Sequence, residues 1–190
     1  AYGYGFPRAG ERLGALREGV QIFRDMWTTG SATLDGKYYQ VDGAICAPRP
    51  LQGTSHPGSA AHGIPMWIAG GGEKVTLKIA AQYASYTNFN GGAEEFAHKS
   101  EILRGHCETL GTDFGAITRS SNFNTIIAET SAEVHRRVDA YEARLAESIG
   151  DRRAAEVVAQ FRGMPSKEGI AGTPDEVIEV LRERQALGMG

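Results

Sequence analysis

Residues 65–76 read Pro-Met-Trp-Ile-Ala-Gly-Gly-Gly-Glu-Lys-Val-Thr. A short apolar run meets three consecutive glycines and passes at once into a helical pattern. That order is a strand, a tight turn and a helix N-terminus. The first N–H groups of a helix have no partner within it, and the aligned peptide dipoles place partial positive charge there. Glycines let such a backbone approach a bulky anion closely. The turn is therefore a candidate phosphate site. A glycine-rich connection between a strand and a helix that binds nothing has the same sequence.

Other segments supply the frame around this turn. Over 10–28 the apolar positions Leu13, Leu16, Val20, Phe23 and Trp27 recur at three and four, one face of an amphipathic helix. Residues 32–34 and 37–41 favour strand and flank Asp35-Gly36, a hairpin signal because both turn positions tolerate φ > 0. Residues 48–65 hold four prolines, three glycines and two histidines, which predicts a long surface loop. Residues 64–69 are continuously apolar, as in a strand buried on both faces. A helix is predicted over 73–83, a strand over 84–89, a helix over 93–110 with Phe96, Leu103, His106 and Leu110 on one face, and a longest strand over 117–128. Thr130-Ser131-Ala132-Glu133 is a capping box opening the next helix, and another helical stretch follows Gly150. Thr173-Pro174-Asp175-Glu176 is a second capping box, with proline at the first helical position, and its helix runs to about Leu187.

Alternating strands and helices predict an α/β fold of parallel βαβ units. Periodicity alone leaves both a doubly wound sheet and a (β/α)8 barrel open. The chain opens with no strand before its first helix and closes on Gly188-Met189-Gly190, where the pattern would turn into another strand. Three strands and a hairpin cannot close an eight-stranded barrel. The expectation is one partial domain over 1–190, with 31–65 as an inserted hairpin and Pro/Gly-rich loop.

Composition bounds the partners. The 190 residues carry a net charge of -3, so the basic footprint of a nucleic-acid binder is missing. No apolar run approaches the ~18 residues of a membrane span, and no signal peptide opens the chain. Cys46 and Cys107 lack metal or redox spacing and read as reduced, structural residues of a cytoplasmic protein.

In order along the chain stand 1–7 (Ala-Tyr-Gly-Tyr-Gly-Phe-Pro), Gly10-Glu11-Arg12, Met26-Trp27-Thr28, 35–39 (Asp-Gly-Lys-Tyr-Tyr), 48–52 (Pro-Arg-Pro-Leu-Gln), 65–73, Thr87-Asn88-Phe89, His98-Lys99 and Gly172-Thr173-Pro174. This ordered set resembles the luciferase-like flavin oxidoreductases, more closely the branch using the deazaflavin F420. The resemblance implies a TIM barrel, here an incomplete one carrying roughly strands 5 to 7 with their helices, and cofactor and substrate at the C-terminal strand ends. It implies that Ala69, Gly70, Gly71, Gly72 and Glu73 cradle the cofactor phosphate through backbone N–H groups, with a hydroxyl from Thr76. The Glu73 carboxylate would repel a phosphate, so that side chain is expected to face solvent or cap the helix. It implies F420 as the cofactor, with FMN as the alternative, since both carry a phosphate in the same place.

Asn88 and Phe89 fall at the end of a strand, so Asn88 could bond the cofactor tail and Phe89 wall the pocket; turn chemistry before Gly91-Gly92 explains Asn88 and Asn90 equally well. Arg119, Asn122 and Asn124 punctuate the longest strand, the two asparagines on one face by its period of two. Tyr2 and Tyr4 could lie near the cofactor ring. His56, His62, His98 and His135 read as solvated, and His106 as a satisfied core histidine. Arg136-Arg137 reads as a solvated helix face. No metal spacing occurs, and no catalytic residue is named: family members draw their general acid or base from early strands. The expected protein is thus an F420- or flavin-dependent oxidoreductase or monooxygenase acting on a small molecule. It is expected as a homo-oligomer and as inactive in this chain alone. The competing reading is a non-catalytic barrel relative that oligomerises through exposed sheet edges.

Overall fold

The computed structural model describes residue 3 and residues 5–51, 64–162 and 169–190; Tyr2, Tyr4, His56 and His62 lie outside the described residues. The chain divides into two units, residues 1–87 with 101–118 and residues 88–100 with 119–190. Among the described residues there are six α-helices and seven strands in three small sheets, an α/β fold.

The first unit opens with α1 (Ala9–Thr29). Its end is set by Gly30, whose φ of 89° lets its N–H return to the Met26 carbonyl at 3.0 Å. The spacing predicts a buried stripe through Leu13, Leu16, Val20, Phe23 and Trp27. The structure buries Val20 of that stripe, adds Ile22 from outside it, and leaves Leu16 and Phe23 exposed. One turn beyond Val20, the Arg24 guanidinium lies 4.9 Å from the centroid of the Tyr83 ring, which fixes the side of the helix that packs. Phe23 stacks on Trp27 with centroids 5.7 Å apart.

β1 (Ser31–Asp35) and β2 (Gln40–Ile45) form the expected antiparallel hairpin. Its turn is longer than Asp35-Gly36, because Asp35 pairs with Gln40. Residues 36–39 are wrapped around the Glu18 carboxylate of α1, which accepts the N–H groups of Lys37, Tyr38 and Tyr39 at 3.0, 2.8 and 3.0 Å. Gly36 does not use a positive φ. A Cβ there would collide with the Glu18 carboxylate and stand 2.7 Å from the Tyr39 carbonyl oxygen.

A three-stranded sheet has the order β3 (Trp67–Ala69), β4 (Tyr86–Asn88), β5 (Thr118–Ser120). Ser85 and Tyr86 donate to the Met66 carbonyl, and the Thr87 hydroxyl to Ile68, so β3 and β4 advance together. β3 is not buried on both faces. Ile68 is 4% exposed, whereas Trp67 is 58% exposed and stacks on Tyr86 at 5.2 Å. Between these strands, α2 (Thr76–Tyr83) fills the core with Leu77, Ile79, Ala80 and Ala81. α3 (Ala93–Leu110) follows β4 with the predicted bounds. It buries Phe96, Ser100, Leu103 and Cys107, spaced by four, three and four, while His106 is half-buried beside them. Cys107 is a free thiol whose pKa burial pushes up, in keeping with a structural role.

The predicted strand over 117–128 is two strands in two sheets. β5 stops at Ser120, and β6 (Asn124–Ile127) runs parallel to β7 (Gly169–Gly172), in register Asn124 with Gly169 to Ile127 with Gly172. Side-chain bonds interrupt it: Ser121 Oγ donates to the Phe89 carbonyl at 3.0 Å, and Asn88 bonds Asn122. β7 has no counterpart in the sequence reading, since four residues with glycine at both ends carry little strand signal.

α4 (Ser131–Ile149) and α5 (Asp151–Arg162) cover this second sheet. Ala128, Val134, Val138, Val158 and Phe161 form one core cluster. α6 (Pro174–Ala186) adds Val177 and Val180 against Ile170. The capping box of α6 is complete, the Thr173 N–H and hydroxyl both donating to Glu176. That of α4 is half made. Thr130 accepts the Glu133 N–H, but the Glu133 carboxylate turns away to Arg136 and Arg137.

The Glu18 clasp is pH-dependent. Partial desolvation would raise the pKa of this carboxyl, but the N–H donors of Tyr38, Tyr39 and Lys37 outweigh it and hold the value below normal. A depressed folded-state pKa stabilises above the unfolded value and ceases to as pH falls through the folded one. We expect Glu18→Gln to speed amide exchange at Lys37, Tyr38 and Tyr39 at pH 7. The difference from wild type should vanish in acid, below the ordinary glutamate pKa of about 4.3.

Candidate functional site

The glycine turn lies at the C-terminal end of β3. Ala69, Gly70 and Gly72 are exposed, and Gly71 and Glu73 are half-buried. Gly70 has φ 119°, which only glycine adopts without strain. A Cβ on Gly72 would stand 2.8 Å from Thr76 Oγ1, and one on Gly70 3.3 Å from Thr76 Cγ2. The glycines thus lie directly over a buried threonine, 8% exposed, whose hydroxyl points back into the turn.

The helix predicted from Glu73 starts three residues later, at Thr76. In a helix beginning at Glu73, the Leu77 N–H would donate to the Glu73 carbonyl. That carbonyl is taken by His106 of α3, at 2.7 Å. A carbonyl oxygen only accepts, so Nε2 carries the proton. Leu77 N–H reaches back instead to the Gly72 carbonyl at 3.0 Å. The extra residue in that ring opens 73–75 into a separate turn. α2 therefore begins with Val75 as N-cap and no side-chain cap. His106 is the satisfied histidine its position on α3 predicts, with a role in shaping the turn that sequence did not reveal.

A second polar group lies at the C-terminal end of β4, in the second unit. Asn88 donates both amide hydrogens, to Ser120 Oγ at 3.1 Å and Asn122 Oδ1 at 3.3 Å. The Phe89 N–H donates to the Ser120 carbonyl at 3.2 Å. The Phe89 ring is 1% exposed and packs 5.0 Å from Phe96, so it sits in the core rather than along an open pocket wall. Asn90 is exposed, and Gly91 has φ 131° with a Cβ position that would meet the Glu95 carboxylate.

Asn122 and Asn124 do not share a strand face. Asn122 lies in the break and meets Asn88, whereas Asn124 opens β6 and donates to Gln160. Arg119 lies on β5 in a parallel bridge with Met189. Three contributors were not singled out from sequence: Ser120, Ser121 and Arg184. The serines had a signal, two small hydroxyls inside an apolar stretch. Arg184 had none, because its helix reads as charged and solvated.

A hollow of about 510 Å³ in the second unit lies against His135, Asp139, Arg162 and Glu176. Its charges are already engaged: Arg162 pairs with Asp139 at 2.9 Å and with Glu142. None of the expected cofactor residues lines it. Among the described residues no group of three or more His, Cys, Asp or Glu could hold a metal, and no helix is long and apolar enough to cross a membrane.

The fold and these strand-end loops define an α/β chain of parallel strand–helix units with polar turns at the strand C-termini. Specifically, it belongs to the luciferase-like monooxygenase family, whose model matches residues 1–190. An F420-dependent glucose-6-phosphate dehydrogenase of Rhodococcus hoagii is 26% identical over 203 residues, covering 97% of this chain and 55% of that protein. The chain thus spans about half the length of this curated relative. Among solved structures, the F420-dependent tetrahydromethanopterin reductase of Methanopyrus kandleri superposes with a TM-score of 0.68 at 19% identity, over 93% of this chain and 55% of that one. The EDTA monooxygenase of Chelativorans sp. BNC1 gives 0.70 at 20% identity, over 99% and 56%. At such identities the structural likeness speaks for the fold.

The contact beneath the turn sets an expectation. Gly72→Ala should destabilise by about 1–3 kcal/mol, the usual range for overpacking. Adding Thr76→Ala should recover part of that loss. Urea denaturation of the two single variants and the double variant measures the coupling.

Proposed function

We propose that this chain is the cofactor-cradling portion of an F420-dependent oxidoreductase. The observation that carries the reading is the Gly70-Gly71-Gly72 turn, closed over the Thr76 hydroxyl at the uncapped start of α2. It stands in a chain similar to an F420-dependent glucose-6-phosphate dehydrogenase. The residues fit a phosphate: the glycines carry no side chain over the turn's backbone, and Thr76 offers a hydroxyl from below. Asn88 donates its amide hydrogens to Ser120 and Asn122, and in this reading its amide oxygen is the group that would accept a bond from the cofactor.

When bound, F420 carries a hydride to or from an organic substrate. The residues of this chain bind and orient. Gly70, Gly71, Gly72 and Glu73 offer backbone N–H groups, with Ala69 setting the approach of the strand. The Glu73 carbonyl is engaged by His106, which holds the turn open for that purpose. In this reading the chain contributes an incomplete (β/α)8 barrel, roughly strands 5 to 7, with the β1–β2 hairpin as an insertion. No residue here is assigned as the acid or base, so the 190-residue polypeptide on its own is expected to bind without turnover. The likeness to a monooxygenase supports a second reading, in which FMN replaces F420 at the same phosphate cradle.

Titration of the protein with F420 and with FMN, followed by fluorescence, tests the proposal. Saturable binding of one of them is expected. Thr76→Val should weaken it about tenfold, the scale of a hydrogen bond to a charged group. Failure of both cofactors to bind overturns the reading.

A further inference from the structure

Arg184 is on the last turn of α6 and is 2% exposed. Its Nη1 donates to the Gly91 carbonyl at 3.0 Å, joining positions 93 residues apart. The guanidinium also lies 5.2 Å from the centroid of the Phe123 ring. No carboxylate forms an ion pair with it among the described residues; Glu183, its neighbour in sequence, acts on it only through space. Among the described residues, it makes direct contact with partial charges, the Gly91 carbonyl and the Phe123 ring face.

Such a residue is a poor choice for packing. A guanidinium stays charged at any ordinary pH, and burying it without a counter-charge is costly. Methionine or leucine would fill this volume without that cost. What the arginine alone supplies is a directional, charge-assisted bond to one carbonyl. That carbonyl belongs to the loop over 88–92, between β4 and α3. The start of the loop is fixed separately, by Ser120 and Ser121 on Phe89 and by Ser120 and Asn122 on Asn88. Its far end is Gly91, with φ 131°, an unusual conformation beside the Glu95 side chain.

We propose that Arg184 is a positioning residue: it clamps the Gly91 carbonyl and so holds the loop carrying Asn88 and Asn90 in its ligand-binding shape. The proposal rests on the reading of that loop as part of the cofactor site. Arg184 touches neither cofactor nor substrate in this account. It acts through the loop.

The test compares the protein with Arg184→Met and Arg184→Lys by thermal denaturation, F420 and FMN titration, and amide exchange of residues 88–92. Arg184→Met should keep or raise the melting temperature, weaken cofactor binding about tenfold or more, and speed exchange in the loop. Arg184→Lys, which restores the charge and one donor, should recover part of the affinity. A purely structural role predicts the reverse, a lowered melting temperature with unchanged affinity, and that result overturns the proposal. If Arg184→Met does not fold, Arg184→Lys decides: affinity and exchange both equal to wild type contradict the clamp, and an intermediate loss of each supports it. If the wild type binds neither cofactor, the functional reading falls by itself. Loop exchange then still judges the clamp: faster in the variants supports it, unchanged refutes it.

Discussion

One hydrogen bond sets the form of the first strand-end turn. His106 donates to the Glu73 carbonyl, the acceptor that the Leu77 N–H would use in a helix begun at Glu73. The Leu77 N–H then bonds Gly72, and the helix starts at Thr76. Had the helix begun at Glu73, Thr76 would be its fourth residue. Because it begins three residues later, Thr76 is the first helical residue and lies directly beneath Gly70 and Gly72. The cradle therefore depends on a side chain from α3, 33 residues further along the chain.

The same device, a side chain competing for a backbone partner, recurs in the second unit. Ser121 and Asn122 pull the chain out of the sheet after β5, and β6 resumes with a different partner, β7. The break lets Asn88 donate to both Ser120 and Asn122 at the C-terminal end of β4. Both regions show polar side chains replacing regular ladder or helix bonds at strand ends. In an α/β fold, those are the ends where ligands bind.

Much of this was legible in the sequence. The bounds of α3, the hairpin, the completed cap of α6 and the glycine turn follow from periodicity and local turn chemistry. The family resemblance, drawn from the ordered motifs, agrees with the family match over the whole chain. What escaped was decided by contacts distant in sequence. Glu18 shapes the hairpin turn from 18 to 21 residues away, His106 delays α2, and Arg184 reaches Gly91 across the second unit. The stripe on α1 misled because apolar spacing shows that a helix has one face, not which of its residues find a partner. Phe23 and Leu16 carry the pattern and remain exposed. β7 was missed because its four residues owe their strand form to pairing with β6 rather than to their own propensity.

The central claim is that the Gly70-Gly71-Gly72 turn holds the cofactor phosphate. The most direct measurement is the backbone amide spectrum of 15N-labelled protein during titration with F420 and, separately, FMN. The account predicts that the amides of Gly70, Gly71, Gly72 and Glu73 shift most, saturating with the bound fraction. Inorganic phosphate at high concentration should move the same resonances in part. Saturable cofactor binding that leaves these four amides unmoved would contradict it.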